Sequence, residues 1–117
     1  MASVEIYRYL SLGKKSIPLD PEGFLVNMGD WSPEVAERLA EEEGIVLSEE
    51  HWEVLRVLRE FYARFEQAPA MRPLVKAVGQ ALGPDKGRSM HLMKLFPGSP
   101  AKVGARLAGL PKPTNCL

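Results

Sequence analysis

The 117 residues, 45% hydrophobic and 26% charged with a formal net charge of zero, are enough for one hydrophobic core and too few for two. No apolar run approaches the length of a membrane span, the charged N-terminal region lacks the apolar stretch of a signal peptide, and a single cysteine excludes an intramolecular disulfide. A cytoplasmic protein is expected.

The neutral total conceals a split. Residues 1–67 carry 14 acidic and 7 basic side chains, whereas residues 68–117 set one acid, Asp85, against Arg72, Lys76, Lys86, Arg88, Lys94, Lys102, Arg106 and Lys112. Either the basic half meets an anionic partner, or the two halves complement each other across the fold.

Along the chain, Ile6 to Leu12 alternates like a strand, Gly13-Lys14 can turn, and Ser16 to Leu19 can return with Pro18 tolerated on an edge. Asp20-Pro21-Glu22-Gly23 is a turn leading into an extended apolar piece, Phe24-Leu25-Val26. Ser32 and Pro33 open a helix that Gly44 closes, with Val35, Ala36, Leu39 and Ala40 on its inner stripe. Trp31 precedes the cap and is expected in the core. Ser48 caps the longest helix, in which Trp52, Leu55, Leu58 or Arg59, Tyr62 and Phe65 recur at intervals of three and four; this is the expected core helix, ending near Pro69. Further helices are expected over Arg72–Leu82, Arg88–Leu95 and Ala101–Ala108, the last stopped by Gly109. Met90 and Met93 read as core residues. The fold class is α+β and mostly α: a compact bundle of about five helices over residues 1–108, with an N-terminal β-hairpin and a mobile C-terminal arm at 109–117.

Few sites for chemistry are visible. His51 and His91 lie forty residues apart, so no zinc-like ligand spacing exists and no metal is expected. No glycine-rich phosphate loop is present, and no cofactor is expected. Two helices joined by Gly44 to Leu47 suggest a helix-turn-helix, but the second carries Glu49, Glu50, Glu53, Glu60 and Glu66, which disfavours DNA. The remaining candidate is Cys116, on Gly109-Leu110-Pro111-Lys112-Pro113-Thr114-Asn115-Cys116-Leu117. Proline fixes its own backbone and pushes the preceding residue towards extended geometry. Nine such residues reach roughly 25 to 30 Å. Cys116 is then either an incidental terminal thiol or a nucleophile on a semi-stiff tether.

A resemblance bears on that choice. Leu95-Phe96-Pro97-Gly98-Ser99-Pro100-Ala101-Lys102 and Ala108 to Cys116 resemble the C-terminal signature of the TusE/DsrC family. Leu47-Ser48-Glu49-Glu50-His51-Trp52-Glu53-Val54, Arg72 with Leu74-Val75-Lys76-Ala77, Asp20 to Leu25 and Trp31-Ser32 fit it too. The resemblance implies a sulfurtransferase that carries a persulfide on Cys116, with Pro111 and Pro113 shaping the arm and Gly109 as its hinge. Lys102, Arg106 and Lys112 are candidates for docking or charge stabilisation. One branch of the family takes sulfur from a TusBCD complex and passes it to MnmA for 2-thiolation of tRNA wobble uridine; the other works with sulfite reductase in dissimilatory sulfur metabolism. The second branch has another cysteine eleven residues before the sulfur-carrying one, and that position here is Ala105. The tRNA branch is therefore favoured. The alternatives are a paralogue in dissimilatory sulfur metabolism and a non-catalytic basic module that binds protein or RNA.

Overall fold

The structure, a computed structural model, describes residues 5–114. It opens with an antiparallel hairpin, β1 (Arg8–Leu12) and β2 (Lys15–Leu19), in the register Arg8↔Leu19, Leu10↔Ile17 and Leu12↔Lys15. Alternation buries Leu10, Ile17 and Leu19 and leaves Tyr7 and Tyr9 outside. The extended piece that follows pairs back: Leu25 bridges Leu19, and the Val26 N–H donates to the Pro18 carbonyl at 3.1 Å. Between them Asp20 ties the turn, its Oδ1 accepting from the N–H groups of Glu22 and Phe24, both at 2.9 Å.

Five helices follow, as the caps and periodicity indicated: α1 (Pro33–Glu42), α2 (Glu49–Phe65), α3 (Met71–Leu82), α4 (Ser89–Leu95) and α5 (Pro100–Leu107). A single 3-10 turn, Met28–Asp30, precedes α1. Ser32 Oγ accepts from the Val35 N–H, and Val35, Ala36, Leu39 and Ala40 are buried. At the start of α2 the capping box uses an unusual third residue. Ser48 Oγ accepts from the His51 N–H, while His51 Nδ1 accepts from the Ser48 N–H at 3.0 Å. That places the ring proton on Nε2, which donates to the Leu95 carbonyl at 2.8 Å and fastens the end of α4 to the start of α2. His51 is buried, with its ring edge-on to Phe96.

Two expectations about packing fail. Phe65 was placed on the core stripe of α2, yet it is 52% exposed; the buried face is His51, Val54, Leu55, Val57 and Leu58. The last turn of α2 carries Phe65 out beside Phe61, where both line a groove against α3 instead of entering the core. Met90 and Met93 were also assigned to the core and are 76% and 44% exposed. The short α4 has one inner edge, filled by Leu92 and Leu95, so its two methionines turn outwards.

The most enclosed element is α5, with six of its eight residues buried. It packs against α1, α2, α3 and α4. Its inner residues are small (Ala101, Gly104, Ala105), which lets the neighbouring helices approach closely; Leu58 lies directly over Gly104. The helix that leads into the arm is thus the central strut of the bundle.

Candidate functional site: the root of the C-terminal arm

The end of α5 is closed by a Schellman motif. The Gly109 N–H donates to the Arg106 carbonyl at 3.2 Å and the Leu110 N–H reaches back to the Ala105 carbonyl at 2.9 Å. Gly109 takes φ +76, and Leu110 is 2% exposed, packed in the core. The first two residues of the expected arm are therefore part of the packed body. Pro111 and Lys112 are exposed, Pro113 is buried again, and Cys116 lies outside the described residues.

Two side chains from distant parts of the chain hold this root. Trp31 Nε1–H donates to the Leu107 carbonyl at 2.9 Å, and its ring faces Gly109 so closely that a Cβ there would lie 2.4 Å from Trp31 Cδ1. Arg59 stacks on the same ring, its guanidinium carbon 3.9 Å from the centroid, and Nη1 donates to the Ala108 carbonyl at 2.7 Å. Burial pushes the Arg59 guanidinium down from its ordinary value. Sequence reading missed Arg59 in this role; its position on the border of the α2 apolar stripe was the available signal.

A second set of contacts uses the Asp20-Pro21-Glu22-Gly23 turn. Glu22 receives Lys112 Nζ on both oxygens, at 2.9 and 3.1 Å, and Lys102 Nζ lies 3.0 Å from its Oε1. Hydrogen bonds from Lys112 and then Lys102 hold the Glu22 carboxyl below the usual carboxylate range. The Arg106 Nε donates to the Gly23 carbonyl at 2.8 Å, while Nη1 and Nη2 donate to Glu43 and Glu42 at the end of α1. Glycine is favoured at position 23 by its φ of +85, and a Cβ there would displace the Arg106 guanidinium, which it would meet at 2.7 Å. Lys102, Arg106 and Lys112 are thus brought to one side of the molecule, and each is paired with acids from the first half of the chain. Lys86 pairs with Glu53 in the same way, at 2.7 Å. Among the described residues, no three His, Cys, Asp or Glu side chains converge as a metal site would require.

The Glu22 contact yields a testable expectation. A carboxyl held below its unfolded value contributes its pairing fully above about pH 4.3 and loses it as pH falls through the folded value. The backbone amides of Lys112 and Thr114 should therefore gain nanosecond mobility on acidification, on raising salt, and in Glu22→Gln at neutral pH, as read by 15N relaxation. Unchanged relaxation in Glu22→Gln would mean that burial of Pro113 alone fixes this stretch.

A family model described as "DsrC like protein" matches residues 11–117. The chain belongs to the DsrC-like family. Sulfurtransferase TusE of Yersinia pseudotuberculosis serotype I (strain IP32953) is 52% identical over 101 residues, covering 86% of this chain and 94% of that protein. Sulfurtransferase TusE of Escherichia coli (strain K12) is 50% identical over 103 residues, covering 88% and 94%. Among solved structures, DsrC of Allochromatium vinosum matches with TM-score 0.85 and 46% identity over 94% of this chain and 98% of that one. The oxidized gamma-subunit of the dissimilatory sulfite reductase (DsrC) from Archaeoglobus fulgidus matches with TM-score 0.81 and 41% identity over 93% and 99%. The expected fold, a helical body with an N-terminal hairpin, is the fold of this family.

Proposed function

We propose that this protein is a sulfurtransferase of the TusE kind that carries sulfane sulfur on Cys116 and works in the cytoplasm. The observation that carries the reading is its identity of about half with the TusE sulfurtransferases over nearly the whole chain. The root geometry supports it: a stiff, Pro-containing segment leaves a braced helix end and leads to the chain's one thiol.

The chemistry needs no second cysteine in the chain. The Cys116 thiolate attacks the outer sulfur of a donor persulfide; the donor S–S bond breaks, its thiolate leaves, and Cys116 becomes the persulfide. A second transfer of the same form delivers the sulfur to an acceptor thiol. No net oxidant is consumed. Ala105 stands where the two-cysteine branch has its additional thiol, and it is fully buried. This chain therefore has no internal partner to resolve the persulfide, which favours relay between proteins: a TusBCD-like complex as donor and an MnmA-like acceptor holding tRNA, in wobble-uridine 2-thiolation. The solved DsrC neighbours favour a second reading, sulfur handling beside a sulfite reductase-type partner, and the same missing thiol counts against it.

Intact mass after incubation with a cysteine desulfurase, cysteine and the TusBCD-like complex tests the proposal. Wild type should gain one reductant-sensitive sulfur, about 32 Da, and Cys116→Ser none. No gain on wild type would overturn it.

A further inference from the structure

The fold divides its basic half in two. Lys86, Lys102, Arg106 and Lys112 are each paired with an acid from the first 67 residues, Lys102 and Lys112 sharing Glu22. Arg72, Lys76, Arg88 and Lys94 are exposed and form no ion pair among the described residues, and the last two belong to α4, at its N-cap and in its last turn. Between them lie Met90 and Met93, the exposed methionines, which with Ser89 and Lys94 line a shallow depression. The rest of α4 is committed inwards. Leu92 and Leu95 are in the core, His91 turns towards Glu50 with Nε2 at 3.6 Å, and His51 holds the Leu95 carbonyl. The outer face is thus a rigidly mounted apolar pair with a cationic rim.

Exposed methionine beside arginine is the composition of protein interfaces, where methionine adapts to the opposing surface and the rim charges select it. No exposed aromatic lies on α4 to stack on a base, so the face suits protein better than RNA. The relay offers two protein partners. An acceptor that holds tRNA must surround its own site with cations, and these would repel Arg88 and Lys94. Distance permits the other choice. α5, which follows α4, is only about 12 Å long, and the six residues that follow Leu110, ending at Cys116, can span roughly 20 Å.

Resting on the sulfur-relay reading above, we infer that the outer face of α4 is the docking surface for the sulfur donor, and that the donor meets it with an apolar patch rimmed by acidic residues.

The test separates docking from chemistry by loading Cys116 from two sources: the purified, sulfur-charged TusBCD-like complex, and inorganic polysulfide, which needs no docking surface. The variants are Arg88→Glu/Lys94→Glu and Met90→Ser/Met93→Ser, all at exposed positions. With the protein donor, each pair should slow loading about tenfold or more, and the charge pair should lose its salt sensitivity. With polysulfide, both should load like wild type. Unchanged rates with the protein donor would overturn the inference, as would equal slowing with polysulfide or slowing only in transfer to the acceptor. Wild type that loads from polysulfide but not from the donor would overturn the donor assignment together with the inference. Wild type that loads from neither would remove the relay reading itself.

Discussion

Gly109→Val is expected to destabilise the protein by about 3 kcal/mol and to slow sulfur transfer beyond what the lost stability explains. Two costs add. A side chain at φ +76 occupies the left-handed region, unfavourable by about 1–2 kcal/mol for a residue with a Cβ and worse for a branched one. The new Cβ would also lie 2.4 Å from Trp31 Cδ1 and 2.6 Å from Cγ, an overpacking of the kind that costs about 1–3 kcal/mol. Relief requires either that the indole move, losing its bond to the Leu107 carbonyl and its stacking with Arg59, or that the helix end unwind and withdraw Leu110 from the core. Both redirect the segment that leads to Cys116. A double-mutant cycle with Trp31→Ala isolates the clash: the combined variant should be less unstable than the sum of the two, because the ring is gone and only the backbone cost remains. Strict additivity in urea denaturation would show that the indole is not what Gly109 accommodates.

Arg106→Met should cost about 3 kcal/mol, the lower end of what breaking a buried ion pair costs. The arginine side chain is only 10% exposed and serves three acceptors at once. Its removal leaves the Gly23 carbonyl without that donor and leaves Glu42 and Glu43 side by side at the C-terminal end of α1, where the helix dipole already disfavours negative charge. The carboxylates keep about a third of their exposure, which holds the cost at that lower end.

The same site sets an acid dependence. Arg8, and then Arg106, hold the Glu42 carboxyl below its usual range by hydrogen bonding against the opposing effect of burial. The stability this confers is complete above about pH 4.3, where an unfolded glutamate ionises, and is lost as pH falls through the folded value. Stability measured from pH 6 down to about pH 3 should therefore fall less steeply in Arg106→Met than in wild type. It should fall less steeply still when Arg8→Met is added. Parallel curves for all three proteins would place the acid sensitivity elsewhere.

Local order was legible in the sequence because local chemistry sets it. Ser32 and Ser48 cap the helices they precede, Gly109 stops α5, and the Asp20-Pro21-Glu22-Gly23 turn forms where its residues predict it. What depends on one element meeting another was not legible. Periodicity assigns apolar residues to a stripe but does not say how far a neighbouring helix extends to cover it, so Phe65 and the two methionines of α4 were misplaced. The charge split left two explanations open. The structure shows pairing across the fold for four of the eight cations and leaves Arg72, Lys76, Arg88 and Lys94 unpaired among the described residues. Glu22 was visible only as a turn residue and Arg59 only as the border of the α2 stripe; their bonds were not legible, since the partners lie 90 and 49 residues away.

Those separations have a consequence for cooperativity. The bonds that brace the exit of the arm join residues 22, 23 and 31 to residues 106, 107 and 112, so the two ends of the chain are stitched into one unit of local unfolding. Amides of the early turn and of the α5 terminus should exchange with solvent at a common free energy, distinct from that of the α2–α3 pair. Any loosening of the first thirty residues would then be felt at the last ten, and the direction in which the thiol is presented becomes a property of the chain's beginning.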